Sequence, residues 1–307
     1  MHGEVSLAVV ILTYNESIHL QRALDRVAGF AQEIFVIDSG STDNTVELAK
    51  SYGARVLHHP FRNYAQQFQW ALANAPIAAE WVMRLDADEI VEADLAAEIV
   101  HKLPHLPPHV TGIVLNRKTI FMGKFIRHGG RYPMLLLRIW RRGKAHIEDR
   151  WMDEHMVLNQ GQTVNFHGGF ADHNLNDLTY FTEKHNKYAS REALDVYYQR
   201  SHAVAAARTL HAASSSRQAA VKRFLKEALF NRAPFELAAC AYFLFRYIVL
   251  GGFLDGRCGL MYHTLQGFWY RYLVGAKLCE LEQAAHLTTD PTQLRDELLR
   301  LTHLRLD

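Results

Sequence analysis

The sequence predicts an α/β fold in which a mostly parallel sheet is flanked by helices and followed by a helical C-terminal region. Apolar runs such as Leu7–Leu12 are continuous, which is typical of strands buried on both faces of a parallel sheet. Segments with helical spacing alternate with these runs over the first hundred residues and indicate βαβ units. Because the pattern turns helical from about Leu178, we expect a Rossmann-like domain over residues 1–176 and a helical region over 177–307.

Each element is predicted from local spacing. Strands are placed where apolar residues form short runs, and helices where apolar residues recur every three or four positions. Gly53 closes the second helix, and the proline-rich piece 104–108 ends the regular alternation. The predicted strands are 7–12, 33–37, 55–57, 81–85, 112–118, 135–140 and 156–158, and the predicted helices are 18–27, 44–52, 64–75 and 93–103.

The composition limits the classes of function. Hydrophobic residues make up 49% and charged residues 21%, as in a folded globular protein. A formal net charge of +2 is too small to indicate nucleic acid as a partner. The three cysteines show neither a CxxC pair nor a zinc spacing, so reduced thiols are expected. The N-terminus shows no signal-peptide pattern, which predicts work on the cytoplasmic side.

Polar clusters follow three of the predicted strands, at Thr13–Glu16, Asp38–Asp43 and Asp86–Glu89. In parallel sheets, ligands bind at the carboxyl ends of the strands. We therefore expect the three clusters to converge on one crevice. A single cluster of this kind is common in turns and helix caps, and Asp43 fits that capping alternative.

The pair Asp86 and Asp88 carries the most specific chemistry. Two carboxylates two residues apart, on a turn after a strand, can both face a divalent cation that is bound to phosphate. Hard oxygen ligands suit Mg²⁺ or Mn²⁺, which bridges a diphosphate and neutralises the charge that develops on a leaving group. Asp38, at the tip of its strand, is a candidate for a hydrogen bond to a nucleobase or ribose, and Gly40 would let the backbone approach that ligand closely.

Three segments, VVILTYNE, VIDSGSTDNT and MRLDADE, occur in this order and resemble the family 2 glycosyltransferases with the GT-A fold. The resemblance covers residues 5 to about 103. It continues through 130–133, 137–143 and 153–154, where the chain is similar to the bacterial subgroup that includes lipopolysaccharide-core and exopolysaccharide glucosyltransferases. The resemblance implies a metal-dependent enzyme that uses a nucleotide-diphosphate sugar, and it makes 1–176 the catalytic domain.

The resemblance also implies roles for individual residues of the donor site. Asp86 would contact the ribose, and Asp88 the metal and the diphosphate. Asp38 would contact the base, and His173 would be a second contact to the metal or the phosphate. The residues implied near the donor nucleotide are Thr13, Asn15, Glu16, Asp38, Gly40, Arg84 and Asp86.

For the acceptor side, the resemblance implies a carboxylate that deprotonates the attacking hydroxyl. Glu154 occupies that place, with Asp153 as its rival. Tyr132, Arg138 and Arg141 are candidates for contacts to the diphosphate or the acceptor, and ordinary surface exposure is the alternative for the two arginines.

These features predict an inverting transferase that moves a hexose of the glucose type from a nucleotide-diphosphate sugar, with a UDP-sugar favoured, to a lipopolysaccharide-core or lipid-linked glycan. Two alternatives stay open. A nucleotidyltransferase would use a similar sheet, but it needs a glycine-rich basic loop after the first strand, and Thr13–Glu16 is acidic and lacks glycine. A non-catalytic protein that binds nucleotide sugars or glycans would tolerate the loss of Asp88 and Glu154.

The C-terminal region is basic and rich in aromatics, with eleven lysines and arginines against three acids from Arg200 to Lys277. This pattern favours helices that lie on an anionic membrane, which predicts a peripheral protein on the inner face of the cell membrane. An ordinary helical core with a basic rim, or a homodimer interface, is the alternative. Phe235–Leu254 has transmembrane length, but Arg246 near its middle favours an interfacial position over a span.

Overall fold

All of the strands that the computed structural model describes belong to the first of two units, Met1–Leu175. In the second unit, Asn176–Asp307, the regular elements of the described residues are all helices. The structure describes residues 5–148, 155–206, 234–288 and 290–303.

The described part of the first unit contains eleven strands. In chain order they are β1 (Val5–Thr13), β2 (Ala31–Asp38), β3 (Arg55–His58), β4 (Trp81–Arg84), β5 (Glu89–Val91), β6 (Val110–Phe121), β7 (Lys124–Ile126), β8 (Leu135–Arg141), β9 (Ala145–Ile147), β10 (Met156–Leu158) and β11 (Gln162–Asp172). The main sheet has the order β3-β2-β1-β4-β8-β6-β11-β5, with β7 paired to β6, and β9 pairs with β10 separately. The predicted α/β class is confirmed, and the sheet is mixed because β8 runs antiparallel to both of its neighbours.

Helices cover both faces of the main sheet. Those described in the first unit are α1 (Ser17–Val27), α2 (Thr45–Ser51), α3 (Tyr64–Asn74) and α4 (Ala93–Lys102). Side chains of α1, α2 and α4 pack in the hydrophobic cluster that contains Leu7 and Val9, whereas α3 packs in the cluster that contains Ala8 and Val10. Successive side chains of a strand point to opposite faces. Since both faces of β1 are buried, its central run contains no polar residue.

The carboxyl ends of β1, β2 and β4 lie side by side. β1 pairs in parallel with both β2 and β4, and Thr13 is in register with Asp38. β6 and β11 run in the same direction as these strands, because β8 is antiparallel to β4 and to β6. The loop after β11 reaches the same edge, where His173 is hydrogen bonded to Asp88. The predicted convergence of the polar clusters is therefore confirmed.

Every strand and helix predicted from the sequence is present, with bounds that differ by at most three residues. The sequence analysis does not predict four of the strands, namely β5, β7, β9 and β11. β11 is the longest of them, and its sequence lacks an apolar run because polar residues recur in its first half and two glycines follow. Gly168 is required where α4 crosses the strand, since a Cβ at this position would lie 2.4 Å from the backbone of Leu95.

The second unit consists of α-helices separated by shorter helical segments. Its described elements are α5 (Leu178–Ala206), α6 (Phe235–Leu244), the π-helix Phe245–Val249, the 3₁₀ turn Gly252–Asp255, α7 (Gly256–Tyr262), the π-helix His263–Trp269, α8 (Tyr270–Leu287) and α9 (Pro291–Thr302). Ala193 of α5, Leu278 of α8 and Leu298 of α9 belong to one hydrophobic cluster. Taken singly, none of the described helices has the length and apolar composition needed to cross a membrane. The helical segments Phe235–Val249 and Gly252–Leu287 have this length and composition only when they are taken together, and the pair is bent by 70°.

Gly168→Ala is expected to lower the free energy of unfolding by about 1–3 kcal/mol, the usual cost of adding atoms to a packed interface. The new Cβ would meet the backbone of Leu95, which cannot yield without shifting α4 away from β11. Chemical denaturation of the two proteins measures the difference. Gly29→Ala is the matched control, because a Cβ at Gly29 has no atom within 4 Å. Equal effects of the two substitutions would contradict the close approach.

Candidate functional site

The loops after β1 and β2 are locked together by hydrogen bonds. The backbone N–H of Asn15 donates to Ser41 Oγ at 2.9 Å, and the N–H of Thr42 donates to Asn15 Oδ1 at 2.8 Å. Beside them, the N–H of Glu16 donates to Thr45 Oγ1 at 2.8 Å. Asn15 has a φ of +54°, a conformation that asparagine tolerates better than most residues. Asn15 and Glu16, which are predicted near the nucleoside, therefore join the two loops that frame the site.

Asp43 caps two helices at once. Its Oδ2 accepts the N–H of Ser17 at 3.2 Å, in the first turn of α1, and its Oδ1 accepts the N–H of Thr45 at 3.0 Å, in the first turn of α2. Burial would raise the pKa of Asp43, but the hydrogen bonds from Thr45 and Ser17 outweigh it and lower the pKa. The carboxylate is charged at neutral pH, so the geometry supports the capping interpretation of Asp43.

Asp38 is almost fully buried, and its carboxylate shapes the loop that follows β2. Oδ2 accepts the N–H groups of Gly40 at 2.9 Å and Ser41 at 3.0 Å. Oδ1 accepts the hydroxyls of Ser41 at 2.5 Å and Thr13 at 3.3 Å. Burial would raise the pKa of Asp38, yet these hydrogen bonds lower it.

These contacts bear on the contact to the base predicted for Asp38, which stays a prediction. A carboxylate has about four acceptor positions, so a nucleobase could bind Asp38 only by displacing a donor that it already holds. In this structure Asp38 organises the loop instead of presenting its carboxylate to a base. Gly40 supplies the turn with a φ of +93°, and the space beside its Cα is open. The predicted close approach of a ligand to the backbone at Gly40 is sterically allowed.

Three side chains contact the carboxylate of Asp86. The Tyr64 hydroxyl donates to Oδ1, Arg138 Nη2 lies 3.5 Å from Oδ2, and Arg84 Nε lies 3.6 Å from Oδ1. The Arg84 guanidinium also lies over the Tyr64 ring, 4.2 Å from its centroid. Burial would raise the pKa of Asp86, but the two arginines and the tyrosine hydroxyl lower it far below its ordinary value. Asp86 is thus a fixed negative charge at physiological pH.

A second acid, Glu89, is buried beside Asp86. Its Oε1 accepts from Arg138 Nη2 at 2.5 Å, and its Oε2 accepts the backbone N–H of Asp86 at 2.9 Å. Burial raises the pKa of Glu89 to about 8; Arg138 opposes the shift, and the charge of Asp86 adds to it. Arg84 and Arg138, predicted as contacts to nucleotide and diphosphate, therefore hold this acid pair in place. Nη1 of Arg138 is buried with no acceptor among the described residues.

Asp88 and His173 are brought together by the pairing of β5 with β11. The N–H of His173 donates to the carbonyl of Asp88 at 2.9 Å, one step beyond the last residue pair of the two strands. Asn174 Nδ2 donates to Asp88 Oδ2 at 2.9 Å. Asp88 is only half-buried, so its carboxylate is accessible to a ligand. The structure thus places side by side the two residues for which a metal role is predicted.

Helix α1 fixes the segment that carries His173. Arg22 donates through Nη2 to the His173 carbonyl at 2.8 Å, and its Nη1 lies 3.3 Å from His173 Nδ1. One turn earlier, the buried His19 accepts the N–H of Leu175 on Nε2 at 2.9 Å, while its Nδ1 lies 2.6 Å from Glu16 Oε2. Glu16 and His19 therefore link the loop after β1 to the loop after β11.

Arg22 and His19 are not among the site residues predicted from the sequence. The available signal is a pair of polar residues one turn apart on α1, directly after a strand-end cluster, with His19 next to the buried Leu20. Such residues are usually solvated or satisfied within the core. Their partners, His173 and Leu175, become apparent only from the structure, in which the segment after β11 lies at this edge of the sheet.

The environment of His173 decides how it could bind a cation. Burial, followed by electrostatic interactions with Arg22 and with the ring of His19, lowers the pKa of His173, so its own ring is neutral at neutral pH. A guanidinium only donates, which means that Nδ1 accepts from Arg22 and the ring proton lies on Nε2. His173 can therefore bind a metal only after Arg22 gives up its contact with Nδ1.

Among the residues that the structure describes, no three histidine, cysteine, aspartate or glutamate side chains come together in a way that could enclose a metal ion. Asp88 supplies a hard oxygen donor of the kind that Mg²⁺ and Mn²⁺ prefer. These ions keep several waters and take further ligands from substrate phosphates. The residues present therefore fit a cation that binds together with a diphosphate, rather than one held in a cage of protein ligands.

The prediction that Arg141 contacts diphosphate or acceptor is wrong. Arg141 is in register with Trp81 at the start of β4, whereas Asp86 follows the end of that strand. Its guanidinium pairs with Glu80, donates to the carbonyl of Val110 at 2.9 Å and lies 4.4 Å from the centre of the Trp81 ring. Arg141 therefore stabilises the opposite edge of the sheet.

Tyr132 lies in the loop before β8, where its ring meets Phe125 edge to face at 5.2 Å. The next contact along this loop is made by Met134, whose carbonyl accepts the N–H of Arg117 at 2.9 Å and whose sulfur lies 3.1 Å from Arg117 Nη2. Arg117 also lowers the pKa of Asp86. The loop thus borders the acid cluster, and a ligand contact of Tyr132 stays a prediction.

Glu154 and Asp153, the predicted catalytic base and its rival, lie outside the described residues. In sequence they fall between β9 and β10. The residues on either side are joined, since the N–H of Glu148 donates to the carbonyl of His155 at 2.9 Å. Their roles stay predictions that rest on the resemblance.

The raised pKa of Glu89 makes stability depend on pH. Between the ordinary pKa of about 4.5 and the folded value of about 8 the folded state binds more protons than the unfolded state, so stability falls as the pH rises through this window. Glu89→Gln removes this dependence. Thermal unfolding from about pH 6 to about pH 9 should show the variant gaining stability relative to wild type. The exposed Glu47→Gln should follow the wild type, and parallel curves for all three proteins would contradict the shift.

Comparisons with known proteins agree with this geometry. The model of glycosyl transferase family 2 matches residues 8–171, just over half of the chain. The chain is 37% identical over 93 residues to the uncharacterized glycosyltransferase RP128 of Rickettsia prowazekii (strain Madrid E), which covers 30% of this chain and 31% of that protein. It is 28% identical over 200 residues to the lipopolysaccharide core biosynthesis glycosyltransferase LpsC of Rhizobium meliloti (strain 1021), covering 63% and 72%.

The match to the Rickettsia protein thus spans less than a third of that relative's length. Among solved structures, glucosyl-3-phosphoglycerate synthase from Mycobacterium tuberculosis, in complex with Mn²⁺, UDP and glucosyl-3-phosphoglycerate, is 23% identical. That match covers 37% of this chain and 43% of the other, with a TM-score of 0.31, which is too low for a residue-by-residue comparison. The family match includes all three polar clusters and the strands that carry them. The chain belongs to glycosyl transferase family 2 and has the GT-A fold.

Proposed function

We propose that this chain is an inverting glycosyltransferase that transfers a hexose of the glucose type from a nucleotide-diphosphate sugar, a UDP-sugar being favoured. The observation that carries the proposal is the meeting of Asp88 and His173 beside the fixed charge of Asp86, where β1, β2 and β4 end. Ligands bind at this edge of parallel sheets. An accessible carboxylate at this place suits a diphosphate with its cation.

The donor would lie along this edge, with its nucleoside at the loops 13–16 and 38–43. Asp38 and Asp43 fix these loops through their own hydrogen bonds, which lowers the cost of ordering them around a ligand. A bound Mg²⁺ or Mn²⁺ would neutralise charge on the departing diphosphate. Arg22, which interacts electrostatically with Asp88, is the cation of the chain that we assign to the same phosphates.

The acceptor side of the proposal rests on Glu154. Its carboxylate takes the proton of the acceptor hydroxyl while the hydroxyl oxygen forms a bond to the anomeric carbon. The bond between that carbon and the diphosphate oxygen breaks, and the nucleoside diphosphate leaves from the opposite face. This displacement inverts the anomeric centre. Asp153 is the rival for the base.

The acceptor we propose is a lipopolysaccharide-core glycan or another lipid-linked glycan, such as an exopolysaccharide unit. The name of the relative LpsC, a lipopolysaccharide core biosynthesis glycosyltransferase, supports this choice. A lipid-linked acceptor is presented at a membrane, so we further propose that the protein is peripheral on the inner face of the cell membrane. The basic, aromatic C-terminal helices are the proposed docking region, and a homodimer through the same region is the alternative.

A transfer assay with a lipopolysaccharide-core acceptor and a panel of nucleotide sugars tests the function. We expect the wild type to turn over one donor, and Glu154→Gln to lower kcat by about 10²–10⁴-fold because the acceptor proton then has no base. Asp153→Asn is the matched variant and should retain most of the activity. The reverse ranking would make Asp153 the base. No turnover of any donor by folded wild-type protein would refute the enzymatic function.

A further inference from the structure

The bend in the second unit carries large apolar side chains on its surface. We call residues 244–254 the apolar tip; here the π-helix Phe245–Val249 turns into the 3₁₀ segment Gly252–Asp255 through Gly251, whose φ is +70°. Val249 is 68% exposed and Ile248 is 57% exposed. The exposed large apolar residues of the tip are Leu244, Phe245, Ile248, Val249, Leu250, Phe253 and Leu254.

Polar residues of the same region are buried while the apolar residues face outward. Arg246 and Asp255 are almost fully buried, and His263 is completely buried. The guanidinium of Arg246 lies over the ring of Tyr242, 5.5 Å from its centroid. A helix that faces water shows the reverse arrangement, with its apolar side chains inside. The surface of the apolar tip is therefore suited to an apolar surrounding.

The two limbs that meet at the tip pack closely. A Cβ at Gly252 would lie 2.6 Å from His263 Cδ2 and 3.0 Å from the carbonyl oxygen of Arg246. A Cβ at Gly259 would lie 2.6 Å from the carbonyl oxygen of Gly252 and from Asp255 Cβ. Glycine permits these approaches because it has no side chain. The tip is thus held in one shape, so a partner would not have to order it on binding.

The exposed charges near the tip are positive. Asp255 is the one acid between Leu237 and Gly275, a stretch that the structure describes without a gap, and it is buried. Arg257 is exposed, and Arg271 is partly exposed and pairs with Glu192 at 2.8 Å. An apolar surface with the exposed Arg257 beside it and no exposed acid in the same stretch of chain complements a bilayer whose headgroups are anionic.

The length of Phe235–Val249 and the bend that follows it argue for shallow entry. As a helix, Phe235–Val249 would measure ~22 Å, which is shorter than the ~30 Å hydrocarbon core of a bilayer. The next limb is bent away from it by 70°. We propose that the apolar tip inserts into one leaflet of an anionic lipid bilayer without crossing it. This inference rests on the membrane association in the proposed function and names the surface that produces it.

Vesicle flotation tests the proposal and requires neither donor nor acceptor. The full chain should float with vesicles of mixed phosphatidylglycerol and phosphatidylcholine, and much less with phosphatidylcholine alone. Ile248→Glu and Val249→Glu should each weaken binding at least tenfold, and they should leave the fold intact because both side chains are exposed. Leu287→Glu is the matched control, since Leu287 is 87% exposed but lies outside the tip. Equal binding by all four proteins, or none by the wild type, would overturn the proposal.

A second measurement reports the depth of insertion. Tryptophan placed by Val249→Trp should be quenched most strongly by lipids brominated near the headgroup end of the chain. Quenching that is strongest at the chain ends, or absent, would overturn shallow insertion.

Light scattering tests whether the tip instead binds a second copy of the chain. If the wild type does not bind vesicles but forms a dimer that Val249→Glu dissociates, the tip is a dimer interface and the membrane proposal is overturned. Transfer to a soluble acceptor fragment should be the same for Val249→Glu and wild type, so failure of the membrane proposal is distinguishable from failure of the transferase proposal.

Discussion

Arg138 is the cation on which the arrangement of acids at this site depends. It is buried on β8 and contacts Asp86 and Glu89 at the same time. Two carboxylates so close together would repel each other strongly where water is excluded; Glu89 avoids this by its raised pKa, and Arg138 stabilises the charge of Asp86. β8 runs antiparallel between β4 and β6 and thereby brings its arginine to the end of β4. The charge of Asp86 therefore depends on the mixed order of the sheet, because the antiparallel strand β8 supplies the arginine that stabilises it.

Fixing Asp86 also places Asp88. The hydrogen bond from the Asp86 N–H to Glu89 closes the turn that contains Asp88. The carbonyl of Asp88 then pairs with His173, whose segment α1 holds from the other side through Arg22. The accessible carboxylate is thus framed by the consecutive strands β4 and β5 and by β11 and α1, which are distant from them in sequence. His19 of α1 acts on the same segment through the N–H of Leu175, so it influences Asp88 without a contact to the ligand.

The sequence identifies the acids of the site but not their partners. Strand-end acids are predictable because the apolar runs before them mark the carboxyl ends of parallel strands. The burial of Glu89 is not, because it depends on β11, whose polar residues and glycines conceal a strand. Arg138 and Arg141 look alike in sequence, yet three residues along a strand separate them by ~10 Å, and only the register of β8 against β4 shows which one meets Asp86. Side-chain partners of this kind are set by tertiary pairing.

We propose that the edge where β1, β2 and β4 end binds a nucleoside diphosphate together with a divalent cation. Calorimetric titration of the full chain with UDP, GDP and TDP, with and without Mn²⁺, tests it most directly. We expect that one diphosphate binds, that its binding requires Mn²⁺, and that Asp88→Asn abolishes the binding. Asp94→Asn, at an exposed acid of α4, should leave binding unchanged. If folded wild-type protein bound none of the three diphosphates, a nucleotide site at this edge of the sheet would be contradicted.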